Sequence, residues 1–291
     1  LADYLQFVDR SMAAEAASAS PPVSLLGRLA ALPAGWDALD EFGVDTFSKQ
    51  IVGPVAPHAE AHDRKGRFLA RGVNFASQDY LSLSTHPSIR QAAMGAIERY
   101  GVHAGGSAAL MGNCEASIEL EARLSAWLNV AECSLFPTGW GAGYGAIRAL
   151  VRQHDHVVID KLAHASLQEG ARAATSHVHA FSHLSLDDLE RQLLSIRAQD
   201  ARAGVLVVTE SLFSMDSDVP DLIAHQALAR RHGATLLVDM AHDLGSTGPG
   251  GLGALSAQGL LGQIDVVMGS FSKTFASNGG THVSPMLVAP G

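Results

Sequence analysis

From Gly72 onward the chain alternates short β-branched or apolar runs with longer segments of helical periodicity, and that rhythm restricts it to an α/β architecture. The short runs are residues 73–76, 133–136, 156–160, 177–181, 205–209, 235–239 and 265–269. Helical patterns cover residues 87–100, 115–129, 142–151, 165–174, 186–198 and 222–232. Val205-Leu-Val-Val and Thr235-Leu-Leu-Val are continuously apolar, as strands buried on both faces of a mostly parallel sheet must be. Ligands of such sheets gather beyond the carboxyl ends of the strands, so the residues that terminate these runs are the candidates for chemistry.

Composition removes several classes. Twenty Lys and Arg against 29 Asp and Glu leave a formal charge of −9 with no dense basic run, which argues against a nucleic-acid binder. No apolar stretch approaches the ~20 residues of a membrane span. The two cysteines, Cys114 and Cys133, form neither a disulfide framework nor a zinc pattern, and free thiols in a reducing cytoplasm are expected. Residues 1–45 stand apart: an Ala/Ser/Pro tract at 12–22 lies between two short helical patterns, so an arm or linker is expected there and one domain over residues 46–291. The chain opens on Leu1 with neither methionine nor a basic leader, which suggests a fragment without a secretory signal.

Four strand-end elements carry candidate chemistry. The glycine-rich segment 136–145 follows a strand and precedes a helix, where backbone N–H groups cradle phosphate; it also contains a G-x-G-x-x-A match at 141–146, for which a dinucleotide site and close helix packing are both open. Asp239 ends an apolar strand and His242 follows three residues later; the pair suits a cationic ring nitrogen and a ring oxygen, while Asp239 capping the next turn is the plainer alternative. No third ligand stands at metal spacing, and no metal is expected. Lys273 lies just past a strand among small hydroxyl residues, as a desolvated Schiff-base lysine would. Ser270-Phe-Ser-Lys273 also spells the acyl-serine motif S-x-x-K, but its S-D-N and K-T-G partners are absent from the sequence. His164 follows a strand and opens a helix, a usual capping position. The pairs His154/His156 and His177/His179 are read as flanking strands.

Taken together over residues 73–280, these elements resemble the α-oxoamine synthases, pyridoxal-phosphate enzymes of aspartate-aminotransferase fold (fold type I). The resemblance rests on Asn74-Phe-Ala-Ser-Gln-Asp-Tyr-Leu-Ser-Leu83, Gly105-Gly-Ser107, Phe136-Pro-Thr-Gly-Trp140, Asp160-Lys-Leu-Ala-His-Ala-Ser166, Thr209-Glu-Ser-Leu-Phe-Ser-Met-Asp216, Val238-Asp-Met-Ala-His242 and Gly269-Ser-Phe-Ser-Lys273. It implies that Lys273 binds the cofactor covalently and then removes the amino-acid Cα proton, that Asp239 pairs with the pyridinium nitrogen, and that His164 stacks on the ring. It implies further that His242 and Ser214 lie near the ring hydroxyl, with His242 also polarising an acyl carbonyl. The phosphate would be held at Thr138, Gly139, Trp140 and Ser270, with Glu210 as a supporting carboxylate. The implied reaction condenses an amino acid with a coenzyme A or carrier-protein thioester, with decarboxylation to an α-amino ketone. An aminotransferase or lyase on the same fold, or an inactive fragment, are the alternatives. Gln78, Ser117 and Met240 stand where relatives commonly have Asn, His and an acidic residue, which bears on amino-acid choice. Relatives are homodimers that continue into a smaller C-terminal domain, so a truncated large domain is expected here, with aggregation or partial disorder near residues 277–291.

Overall fold

The computed structural model describes residues 49–284 apart from residue 64, together with residues 24 and 26. The expected arm at 1–45 therefore lies almost wholly outside the described residues, as do residues 285–291. The described chain divides into two compact units.

The smaller unit is a three-stranded sheet of β1 (Gln50–Val52), β2 (His58–His62) and β3 (Phe68–Val73), in that order, with β1 and β2 antiparallel. None of it was foreseen except a strand near residue 73. Its β2–β3 turn is tied by Asp63, whose carboxylate accepts the backbone N–H groups of Lys65 and Arg67.

The larger unit is a three-layer α/β sandwich. Its helices are α1 (Pro87–Tyr100), α2 (Glu115–Leu128), α3 (Gly139–Leu150), α4 (Ala165–Ala174), α5 (Leu186–Gln199), α6 (Leu222–Arg231) and α7 (Gly253–Ala257). Its strands are β4 (Glu132–Phe136), β5 (His156–Asp160), β6 (Val178–Phe181), β7 (Val205–Glu210), β8 (Thr235–Asp239), β9 (Val266–Ser270) and β10 (Gly280–Ser284). They run in the order β4-β10-β9-β8-β7-β5-β6, and only β10 opposes its neighbours. The expected mostly parallel sheet is therefore present.

Strand alternation divides the core between the two faces. Val205 and Val207, Leu236 and Val238 face one layer, with Leu193 and Ile196 of α5 and Leu222 of α6. Leu206, Val208 and Leu237 face the other, with Ile147 of α3 and Leu167 of α4. Each such side chain that is fully buried contributes about 1.5–3 kcal/mol, which is why these strands lack polar interruptions. Polar residues close the buried strands: Asp160, Glu210, Asp239 and Ser270 are the last residues of β5, β7, β8 and β9. One edge of the sandwich thereby collects them.

Two expectations need correction. The G-x-G-x-x-A match at 141–146 lies inside α3, which begins at Gly139, so it is no strand-to-helix turn. Its glycines serve packing: a Cβ on Gly143 would meet Ser166 Oγ at 2.7 Å, and one on Gly145 would meet the Phe136 ring at 2.7 Å. The expected disorder does not hold for residues 280–284, which form a strand hydrogen-bonded on both sides.

Candidate active site

The strand-end residues and the loops after them enclose a cavity of about 150 Å³ lined by Gly139, Trp140, His164, Glu210, Asp239, His242, Ser270 and Lys273, among others. All eight were candidates from the sequence. A larger cleft of about 340 Å³ shares His242 and adds Tyr80, Phe213, Ser214 and Ser217.

Lys273 stands in the loop between β9 and β10. Among the described residues its ammonium makes no hydrogen bond or ion pair, though it feels the charges of Asp239 and Glu210; burial pushes its pKa down. A half-buried lysine without a close partner gives up its proton more readily than a solvated one. Asp239 is 3% exposed, and its Oδ1 accepts the Ala241 N–H at 2.8 Å. The turn-capping alternative is thus real, but it occupies one oxygen. Glu210 sits opposite Asp239 in the β7–β8 register and accepts the His164 N–H at 2.6 Å. Burial raises both carboxyls, and the Asp239 charge raises Glu210 further. The pair therefore favours binding of a cation.

His164 caps α4: Ser166 N–H donates to its Nδ1 at 3.2 Å, and Ser166 Oγ lies 2.8 Å away. A backbone N–H can only donate, so Nδ1 is unprotonated and the ring is neutral; burial and Lys273 push its pKa down. Its ring meets Trp140 edge-on at 5.8 Å. His242 is pushed down to about 4 by burial and by Lys273, and its Nδ1 lies 2.8 Å from the Tyr80 hydroxyl. The two rings are neutral at pH 7.

The start of α3 supplies an anion cradle. Thr138 is its N-cap and accepts the Gly141 N–H at 2.9 Å, which leaves the first amides, those of Gly139 and Trp140, without a helical partner. A Cβ on Gly139 would collide with Ser270 Oγ, so only glycine brings that amide beside the hydroxyl. These features fit a ring carrying a phosphate, a basic nitrogen and a carbonyl. Thr138 itself is not among the cavity-lining residues, and Ser214 lies in the adjoining cleft and not beside Lys273. Tyr80 was not foreseen as a site residue; it lies 162 positions from His242, and nothing local in its motif signals that pairing.

The aminotransferase class I and II model matches residues 70–286. The chain belongs to that family. Within it, the resemblance to the α-oxoamine synthases is borne out. Serine palmitoyltransferase of Sphingobacterium spiritivorum is 37% identical over 72% of this chain and 52% of its own length. The 8-amino-7-oxononanoate synthase of Enterobacter sp. (strain 638) is 40% identical over 74% of this chain and 55% of its own. Serine palmitoyltransferase from S. paucimobilis, solved with a bound PLP–myriocin aldimine, superposes with a TM-score of 0.83 at 31% identity, covering 91% of this chain and 65% of that one. The chain spans about half the length of the curated relatives it matches. Among the described residues, no helix of this family member is long and apolar enough to cross a membrane.

Proposed function

We propose that the protein to which this chain belongs is a pyridoxal-phosphate-dependent C-acyltransferase that condenses an amino acid with an acyl-coenzyme A or acyl-carrier-protein thioester, with loss of carbon dioxide, to an α-amino ketone. The observation that carries the reading is the half-buried Lys273, without a hydrogen bond or ion pair among the described residues, lining one cavity with the buried Asp239–Glu210 pair and with Gly139 and Trp140 at the start of α3. Lys273 Nζ is the amine that would bond the cofactor carbonyl, Asp239 would hold its ring nitrogen, and the Gly139 and Trp140 amides with Ser270 Oγ would hold its phosphate. When bound, pyridoxal phosphate supplies an electron sink for the pair left at the amino-acid Cα.

The chain's own groups do the rest. Lys273, whose pKa burial pushes below that of a free lysine, takes the Cα proton at Nζ and returns a proton at the end. His164 covers one side of the cavity as a neutral ring. The Tyr80 hydroxyl lies 2.8 Å from His242 Nδ1; by donating there it would keep the His242 proton on Nε2, as a donor for the thioester carbonyl oxygen. Ser214 stands in the cleft that shares His242, where the second substrate would enter.

Residues 1–45 would form an arm and residues from 46 the cofactor domain. A homodimer would cover exposed apolar side chains such as Phe75, Met94, Val102, Leu110 and Met111. The two free cysteines suit a reducing cytoplasm. The test is an absorbance spectrum with pyridoxal phosphate for the native chain and for Lys273→Ala, borohydride fixation with peptide mapping, then thiol and carbon dioxide release from amino acid plus acyl-coenzyme A. A visible band fixed on Lys273 is expected in the native chain alone. Equal spectra from the two chains would refute the assignment.

A further inference from the structure

A second cluster of ionisable groups lies beside the cleft, outside the Lys273 cavity. Asp160, wholly buried at the end of β5, accepts the backbone N–H groups of Leu162 at 2.9 Å and Leu184 at 3.1 Å. Its two oxygens also lie 2.9 and 3.1 Å from His183 Nδ1. The other ring nitrogen, Nε2, is 3.1 Å from Asp218 Oδ2. Carboxylates only accept, and imidazole is the more basic partner by roughly 2.6 pH units. Both nitrogens therefore carry protons, and His183 is an imidazolium.

The imidazolium holds a loop. Phe213 N–H donates to the Asp218 carbonyl at 2.9 Å and Ser217 N–H to the Phe213 carbonyl at 3.1 Å, so residues 213–218 form a closed turn. The His183 ring also meets Phe213 edge-on at 4.5 Å. Phe213, Ser214 and Ser217 line the cleft with Tyr80 and His242. Asp216, with Asp218 and His183, has the spacing of a cation site, yet a doubly protonated ring offers a cation no lone pair.

We infer that His183 is a positioning residue: bridging Asp160 and Asp218 as an imidazolium, it fixes the 213–218 wall of the cleft that admits the second substrate. This rests on the reading of the cleft given above. Among the described residues, the charged groups around His183 are Asp160 from β5 and Asp216 and Asp218 from the loop. Hydrogen bonds to Asp160 and Asp218 outweigh burial and raise its pKa. The holding force is complete below pH ~6.5 and is lost as pH rises through the raised value. The neutral ring keeps one N–H, which stays with the buried Asp160, and Asp218 is released.

The test combines NMR titration of His183 with hydrogen exchange of residues 213–218 in the native chain, Asp218→Asn and Asp218→Glu, between pH 6 and pH 9. The native midpoint is expected above 6.5, lowered by roughly half a pH unit in Asp218→Asn and restored in Asp218→Glu. At pH 6 the loop of Asp218→Asn should exchange about threefold faster than the native loop, and at pH 9 equally fast. A native midpoint at or below 6.5, or an exchange ratio that does not change with pH, overturns the inference. Spectra with pyridoxal phosphate on the same samples separate the two readings. A band on Lys273 with a pH-independent loop sinks the His183 inference alone, and a pH-dependent loop with no band sinks the proposed reaction alone.

Discussion

Replacing Asp239 with asparagine should change sign with the cofactor. The side chain ends β8, is 3% exposed, and faces Glu210 in the neighbouring strand. Asparagine keeps the shape and the oxygen that accepts the Ala241 N–H, so the turn stays capped and only the charge leaves. In the empty chain that charge is a burden, because burial raises the Asp239 carboxyl and the folded state retains a proton that the unfolded state gives up. The native stability therefore falls as pH rises from about 4 upward. Removing the charge should stabilise the empty chain at pH 8 by about 1–2 kcal/mol, a rise in melting temperature of about 2–6 °C. With pyridoxal phosphate present the sign reverses. A hydrogen bond between a carboxylate and a protonated ring nitrogen contributes about 1.5–3 kcal/mol, so its loss should weaken cofactor binding about 10- to 150-fold. Thermal melts at pH 5 and pH 8, with and without cofactor, and an absorbance titration read both halves. If the variant is no more stable when empty and binds the cofactor as tightly as the native chain, Asp239 is a turn cap and nothing more.

Gly139→Ala should lower cofactor affinity about tenfold or more, since the new Cβ would push Ser270 aside at 2.7 Å from its Cβ, while the melting temperature moves by less than about 3 °C; absorbance titration and a melt check both. Tyr80→Phe removes the partner of His242 Nδ1 and should cut kcat about three- to tenfold with cofactor affinity unchanged, which steady-state kinetics beside a cofactor titration would show. His242 is held down to about 4, so the unfolded chain binds a proton there that the folded chain refuses between pH ~6.5 and pH ~4. Stability should consequently fall as pH drops through that window, by on the order of 3 kcal/mol from this residue, and His242→Asn should flatten that part of the urea-midpoint profile.

The limits of sequence reading follow from which forces are local. β7 and β8 are legible because burial on both faces forces unbroken apolar runs, and Asp239 is legible because polarity returns where its run stops, whereas Glu210, one residue past the expected end of β7, enters only through the family resemblance. The start of α3 is misplaced by three residues because every second residue of Gly-Trp-Gly-Ala-Gly-Tyr-Gly is glycine, a poor helix former; Thr138, a good N-cap, was the available signal. The pairings of Tyr80 with His242 and of His183 with Asp160 and Asp218 join distant segments and leave no spacing to read. β10 is the instructive miss. Gly-Thr-His-Val-Ser has a single fully apolar buried side chain, Val283, and becomes a strand because β4 and β9 both need hydrogen-bond partners. Gly280 permits this, since a Cβ there would meet Gly139 Cα at 2.8 Å and Ala142 Cβ at 2.9 Å. The lysine depends on that strand. Residues 271–279 are closed by Phe271 N–H to the Gly279 carbonyl and Ser277 N–H to the Phe271 carbonyl, both 3.0 Å, and Ala276 N–H bonds the Lys273 carbonyl at 3.0 Å. Lys273 was legible as chemistry from its own neighbours, while what holds it at the cavity is a strand that only tertiary pairing creates.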